Sequence, residues 1–264
     1  MKARVPLAAL SGALVALSFP DFEIWPLAWV AFVPLLAGLD GASLPRSFLL
    51  GWIAGVVTHL IGVYWIAGLL VRFGGLPWAA AVPLLILYCA WGGAGMGLTA
   101  LLARAASRGD GSPGMLLAFP VAVVAGEHLF PAFFQWSLAG GQYGFLPFVQ
   151  AAEVVGAIGL SGMVAAGSSA AWEAIAMAAR RAPSTRRRWT AVAATVAVLA
   201  AIVGGGAIRL ASVDRMRSAA PEMRVGVVQP NIGIHEKGDR VLASLHLAVL
   251  RLLSLEAVAV GAEA

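Results

Sequence analysis

Residues 76–103, "LPWAAAVPLLILYCAWGGAGMGLTALLA", contain no charged side chain over 28 consecutive positions. Crossing the hydrocarbon core of a bilayer, about 30 Å, takes about 20 helical residues, so this run reads as a membrane helix with length to spare. The flanking chain repeats the pattern. Further apolar stretches fall at 6–20, 26–39, 47–71, 115–135, 148–179 and 189–208, separated by "PDFE", "DGASLPRS", "SRGDGSPG" and "RRAPSTRRR". The 264 residues are 60% hydrophobic and 12% charged, with a mean hydropathy of +0.86, far from the composition of a soluble globular chain. An all-α polytopic membrane helix bundle of about seven apolar segments is expected. The last five are long enough to cross, some with tilt. The first two, 6–20 and 26–39, are short and form either two thin crossings or one re-entrant hairpin; either way the chain returns to the side where it began. Lys2 and Arg4 before an apolar run imitate a signal peptide, but apolar segments follow at once without a polar mature start, so an uncleaved first span is expected.

That parity turns arginine placement into an orientation. With the N-terminus cytoplasmic, the inner segments hold ten basic residues: Lys2, Arg4, Arg46, Arg104, Arg108, Arg180, Arg181, Arg186, Arg187 and Arg188. The short outer loops hold Arg72 alone, beside Asp21 and Glu23. Lys and Arg are retained on the cytoplasmic side, so residue 209 onward is expected on the outer face. The net charge of +5 thus reports topology, and a nucleic-acid partner is not expected. Trp25, Trp78, Trp136 and Trp189 lie near segment ends, as interfacial anchors do. "GGAGMG" (92–97) and "GAIGLSG" (156–162) supply small residues for close helix packing.

The composition changes near residue 210. "RLASVDRMRSAAPEMR" is a polar linker, "VGVVQ" (225–229) is a β-rich run closed by Pro230, and 239–260 forms an amphipathic helix with Val241, Leu242, Leu245, Val249, Leu252 and Leu253 near one face. A strand followed by a helix is the first part of an α/β unit and cannot bury a core alone. The expected organisation is a membrane domain over 1–209, a linker over 210–222 and the start of an α/β domain over 223–264.

In order along the chain, "LSFPDFEIWPLAWVAFVPLL" (17–36), "GVYWI" (62–66), "GEHLFPAFFQW" (126–136), "SLAGGQ" (137–142), "VQAAEVVGAIGLSGMV" (149–164) and "VGVVQPNI" (225–232) resemble the N-terminal part of the apolipoprotein N-acyltransferase family. No single motif is specific; the ordered set is. The resemblance implies a membrane bundle followed by a truncated nitrilase-like fragment. It implies N-acylation of the diacylglyceryl-cysteine of bacterial lipoproteins in the inner membrane, with a phospholipid as acyl donor, through a thioester on a cysteine assisted by a glutamate base and a lysine. It calls for no cofactor and no metal, and His59, His128, His235 and His246 are scattered without metal-ligand spacing.

None of the catalytic residues is carried over. The family's glutamate ends the second strand of the nitrilase-like domain in a Trp-Pro-Glu setting, whereas this sequence stops at "VAVGAEA". Glu263 has neither the strand nor the Trp-Pro before it. Lys237 comes too early, and Cys89 lies in an apolar run where a thiol is a packing residue. The triad is expected beyond Ala264, and the chain alone is expected to be inactive. Gly238 falls near the position where members commonly place a tryptophan.

Substrate-contact candidates are Glu127, Trp136, Gln142 and Tyr143. Glu127 is a carboxylate in an apolar segment and matches a glutamate of the family's corresponding helix; the alternative is an interfacial carboxyl bonded to His128 or a helix end. Trp136, Gln142 and Tyr143 fall in an uncharged outer loop that resembles the family's segment beside a lipid-accessible mouth; the alternative is an ordinary aromatic interfacial loop. Glu153 and Glu173 are read as interfacial, and His59 as a hydrogen-bonded bundle histidine. The rival functions are a non-catalytic scaffold or lipid-handling protein and, less favoured, a small-solute transporter, which the lack of paired Gly/Pro-broken segments argues against.

Overall fold

A computed structural model describes residues 3–107, 114–134, 137–233 and 236–262. Trp136, one of the candidates, lies outside the described residues. The described chain is helical, and it divides into two units, Met1–Ala211 and Ser212–Ala264. Its helices are α1 Arg4–Leu17, α2 Val33–Leu39, α3 Leu44–Gly62, α4 Trp65–Arg72, α5 Trp78–Ala106, α6 Gly114–Leu129, α7 Leu146–Val149, α8 Ala152–Ala178, α9 Arg186–Ala219 and α10 Ala243–Ala259. Two 3-10 turns, Trp25–Trp29 and Leu138–Gln142, break the run before α2 and before α7.

Among the described residues four helices are long and apolar enough to cross a membrane: α3, α5, α8 and α9. Five were expected among the later segments. The difference is the 115–135 stretch, where α6 stops at Leu129 after 16 residues, about 24 Å of rise, and the chain continues without helix toward Phe134. The 47–71 stretch is also divided, because the helix breaks at Val63 and restarts as α4.

The larger unit closes into a ring. α3 packs between α1 and α5, α5 packs on α6, α6 on α8, and α8 returns through α2 and the Trp25–Trp29 turn to α1. Leu35, Leu36, Phe119, Phe148 and Val164 fill the centre, with Phe32 edge-on to Phe119 at 5.0 Å. α3 and α5 make the closest crossing. Gly51 and Gly55 on α3 face Gly93 and Gly97 on α5, and a β-carbon on Gly55 would stand 2.7 Å from the Gly93 Cα. Glycines spaced by four on both helices let two backbones meet without side chains between them, a standard solution in lipid, where no hydrophobic effect drives helices together. α9 is the least enclosed long helix, burying Val192 and Gly206.

The short first hairpin is the part whose backbone most needs outside help. α1 has 14 residues and α2 has 7, about 21 and 10 Å of rise, and 18–32 between them is largely irregular. Irregular backbone at membrane depth is tolerated where protein satisfies its polar groups. Within 18–32 the Ala28 carbonyl accepts from Ser168 at 3.2 Å and the Ala31 carbonyl from Ser11, while the Ala42 carbonyl after α2 accepts from Arg104 Nε at 3.0 Å and the Gly12 carbonyl of α1 from Thr58 at 3.1 Å. The donors come from α8, α5, α3 and α1.

The smaller unit contains α10, within the expected 239–260, but not the expected strand. Residues 221–233 run without regular structure, and Val225 and Val227 are exposed. A strand exists only through its ladder, and no second strand is present among the described residues to pair with it. The apolar face of α10 likewise has no buried residue.

Candidate functional site

His59 and Gly92 bring α3 and α5 together at one end of the larger unit. His59 is buried, its Nδ1 2.7 Å from the Gly55 carbonyl, so Nδ1 carries the proton and donates it. The ring lies against Gly92, where any β-carbon would collide with it. One side of the imidazole faces Tyr88, with ring centroids 5.9 Å apart. The bundle-histidine reading therefore describes its bonding, while its position places it on the wall of a cavity.

That cavity, about 110 Å³, lies between α3, α5, α6 and the chain that follows α6. Its polar side holds His59, Thr99 and Glu127; its remaining walls are aromatic and aliphatic. Trp91 donates its indole N–H to the Pro131 carbonyl at 2.9 Å and stands 5.4 Å from the Phe130 ring, which ties the post-α6 segment onto α5. Phe133 and Phe134 are thereby held beside Tyr88, at 6.3 and 5.9 Å between centroids. The same four rings, Tyr88, Trp91, Phe133 and Phe134, also wall an apolar groove of about 740 Å³ between α4 and α5, which no charged side chain lines. The groove is open, and Leu69, Leu84 and Leu87 on it are exposed, Leu87 by 66%.

Of the expected contact residues, Glu127 reaches the cavity. Its Oε1 accepts the Leu138 N–H at 2.7 Å, pinning the start of the 3-10 turn to the end of α6. Gln142 does not reach the cavity. It is fully buried, accepting from the Trp29 indole at 2.9 Å and donating to the Trp25 carbonyl at 3.0 Å, so both ends of its amide are used in joining the two 3-10 turns. Tyr143 is half exposed and donates to Glu23 at 2.5 Å, and that bond, ahead of modest desolvation and the carboxylate's charge, pushes its hydroxyl above the usual tyrosine range. Cys89 is buried among Ile66, Ala67 and Leu85. Glu153 and Glu173 each pair with an arginine of α9, Arg209 and Arg188.

Tyr88, Trp91 and the Phe130–Phe134 segment went unread in the sequence as a site. Their signal was present in the three-residue spacing of Tyr88 and Trp91 on one face of α5 next to glycine, but apolar aromatics in a membrane segment carry no mark that separates wall from packing.

The helical bundle thus carries a polar-ended cavity beside an apolar groove, with four aromatic rings lining both. The model of the apolipoprotein N-acyltransferase N-terminal domain matches residues 11–170, more than half of the chain, and the chain belongs to that family. Among curated relatives, it is 31% identical to the apolipoprotein N-acyltransferase of Geobacter metallireducens over 97% of this chain and 48% of that protein. It is 28% identical to that of Rhodopseudomonas palustris over 87% of this chain and 43% of the relative. The chain thus spans about half the length of the relatives it matches.

Proposed function

We propose that this chain is the lipid-handling membrane part of a bacterial lipoprotein N-acyltransferase. The donor phospholipid lays an acyl chain in the groove between α4 and α5, with its polar end toward the cavity at Glu127 and His59. The reaction breaks the donor's ester to form a thioester on a cysteine, releasing a lysophospholipid, and then forms an amide on the α-amine of a diacylglyceryl-cysteine. The cysteine, its glutamate base and its lysine belong to sequence corresponding to the other half of the relatives, and 223–264 is the start of a nitrilase-like domain. Seven segments in the inner membrane, with the N-terminus cytoplasmic, put the cavity on the outer side.

The observation that carries the reading is the shared wall. Tyr88, Trp91, Phe133 and Phe134 border both a cavity with a carboxylate and a groove without charge, the two environments an amphiphile needs side by side. A phospholipid with a photoreactive acyl chain tests it. Crosslinking at Leu87 should saturate at a low mole fraction of probe, while crosslinking at Val198, exposed on α9, should rise in proportion to probe. Parallel, unsaturating uptake at both positions would sink the groove assignment. In cells depleted of their own acyltransferase, this chain alone should not restore growth; restored growth would place the catalytic groups within these 264 residues.

A further inference from the structure

Arg180, Arg181, Arg186 and Arg187 flank residues 182–185 in the turn from α8 to α9, and their side chains are exposed and make no ion pair among the described residues. Arg188, beside them, is used by the fold: it pairs with Glu173 of α8 and donates to the Pro183 carbonyl at 3.4 Å. The turn is fixed by its own bonds. The Arg181 and Ala182 N–H groups both donate to the Ala176 carbonyl, at 2.8 and 3.1 Å, the Arg188 N–H donates to Thr185 Oγ1 at 3.3 Å, and the Trp189 indole donates to Ser184 at 3.1 Å. Arg180 closes α8 at φ 55°, a left-handed position that ordinarily goes to glycine, so a cation stands where the backbone favours a residue without a side chain.

The helix fields treat the two pairs differently. Arg180 and Arg181 follow the C-terminus of α8, whose partial negative charge suits them. Arg186 and Arg187 occupy the first turn of α9, which holds no acidic residue and whose N–H groups carry partial charge of the same sign. An anion relieves that surplus. Both α8 and α9 are long and apolar enough to cross a membrane, so a turn between them stands at a bilayer surface whichever way the chain is oriented, and Trp189 marks head-group depth. The anions at that depth are lipid phosphates.

We propose that this turn binds the head group of an anionic phospholipid, its phosphate held by Arg186 and Arg187 at the start of α9 and by Arg180 and Arg181 across the turn. The lipid ties down one end of α9, which buries only Val192 and Gly206 among its described residues. The site is separate from the function proposed above, since none of these arginines lines the cavity or the groove. A zwitterionic head group fits it poorly, because its ammonium brings a further cation to a turn that already has an excess.

Native mass spectrometry of the full chain, released from nanodiscs with equal amounts of phosphatidylglycerol and phosphatidylethanolamine of matched acyl chains, reads the preference. The wild type should retain the glycerol lipid about tenfold over the ethanolamine lipid, and Arg186→Gln combined with Arg187→Gln should bring that ratio to within about twofold of one. Arg180→Gly removes a cation and gives the left-handed position the residue that suits it, so the test survives a double variant that fails to fold. Its thermal midpoint in lipid-free detergent should not fall, while its lipid ratio should drop several-fold. Arg72→Gln, at the end of α4, should leave the ratio unchanged. A wild-type ratio near one, a ratio that neither turn variant alters, or an equal drop in Arg72→Gln overturns the proposal. Added phosphatidylglycerol should raise the wild-type midpoint more than soluble glycerol phosphate at the same concentration does, and equal stabilisation by the two would remove the lipid as occupant.

Discussion

Gly92 shows how a single missing atom sets the site. A β-carbon there would approach the His59 Cδ2 and Cε1 at 2.7 Å, and the ring has little freedom because its Nδ1 is held by the Gly55 carbonyl. Overpacking of this kind costs about 1–3 kcal/mol. Gly92→Ala should lower the thermal midpoint by several degrees in detergent, measured by intrinsic fluorescence, and an unchanged midpoint would mean that the imidazole moves aside freely. Tyr143 carries a second prediction, for alkaline pH. Its bond to Glu23 raises its ionisation in the folded state above the unfolded value of about 10, so the stabilisation is complete below that pH and disappears as pH climbs through the folded value. Phenolate absorbance near 295 nm should include a Tyr143 step later than that of a free phenol. Glu23→Gln should bring that step down, and a step that stays put would assign the shift to other causes.

Between elements, the same substitution should act in opposite directions according to what stands opposite. Gly55→Ala drives a methyl into the α5 backbone at Gly93, while a β-carbon on Gly205 of α9 meets nothing within 4 Å. The first should separate α3 from α5 and cost about 1–3 kcal/mol; the second should be neutral or stabilise by up to about 1 kcal/mol, since alanine suits a helix better than glycine does. Paired thermal melts settle it, and equal effects would remove the close crossing from the account. α8 illustrates a different use of glycine. Gly156 adopts φ 66° and ψ 178° inside the helix, a conformation costly for a residue with a side chain, and the axis kinks there. Both glycine clusters were legible in the sequence as small-residue packing, but the kink was not, because periodicity carries no information on one residue's φ.

At the scale of the molecule, the ten basic residues counted against Arg72 give a direct prediction of orientation. A reporter active only in the periplasm, fused at residue 218, should be active, and silence there with activity of a cytoplasmic reporter would invert the assignment and close the cavity to the outer leaflet. Among the described residues four helices are long enough to span, where five were expected, because hydropathy counts apolar residues without asking where the helix ends. α6 ends at Leu129 although Phe130 to Phe134 keep the run apolar. Those aromatics serve as wall, not as span, and only the neighbouring Trp91 bond reveals it. Residues 225–229 form no strand among the described residues for a complementary reason, since β-propensity is realised only with a partner.

Composition, segment length and arginine placement are properties of the chain itself, set by the transfer of side chains between water and lipid, so the sequence alone determined a membrane helix bundle, its family and an expected orientation. The cavity at Glu127, the groove along α4 and α5, and the saturation of Gln142 inside the bundle were decided by tertiary structure. Each depends on which groups from distant segments meet, with Glu127 bonded 11 residues away and Gln142 bonded 113 and 117 residues away. Whether a polar side chain is used up in holding the fold or left over for a ligand is settled by those partners, and a linear reading cannot count them.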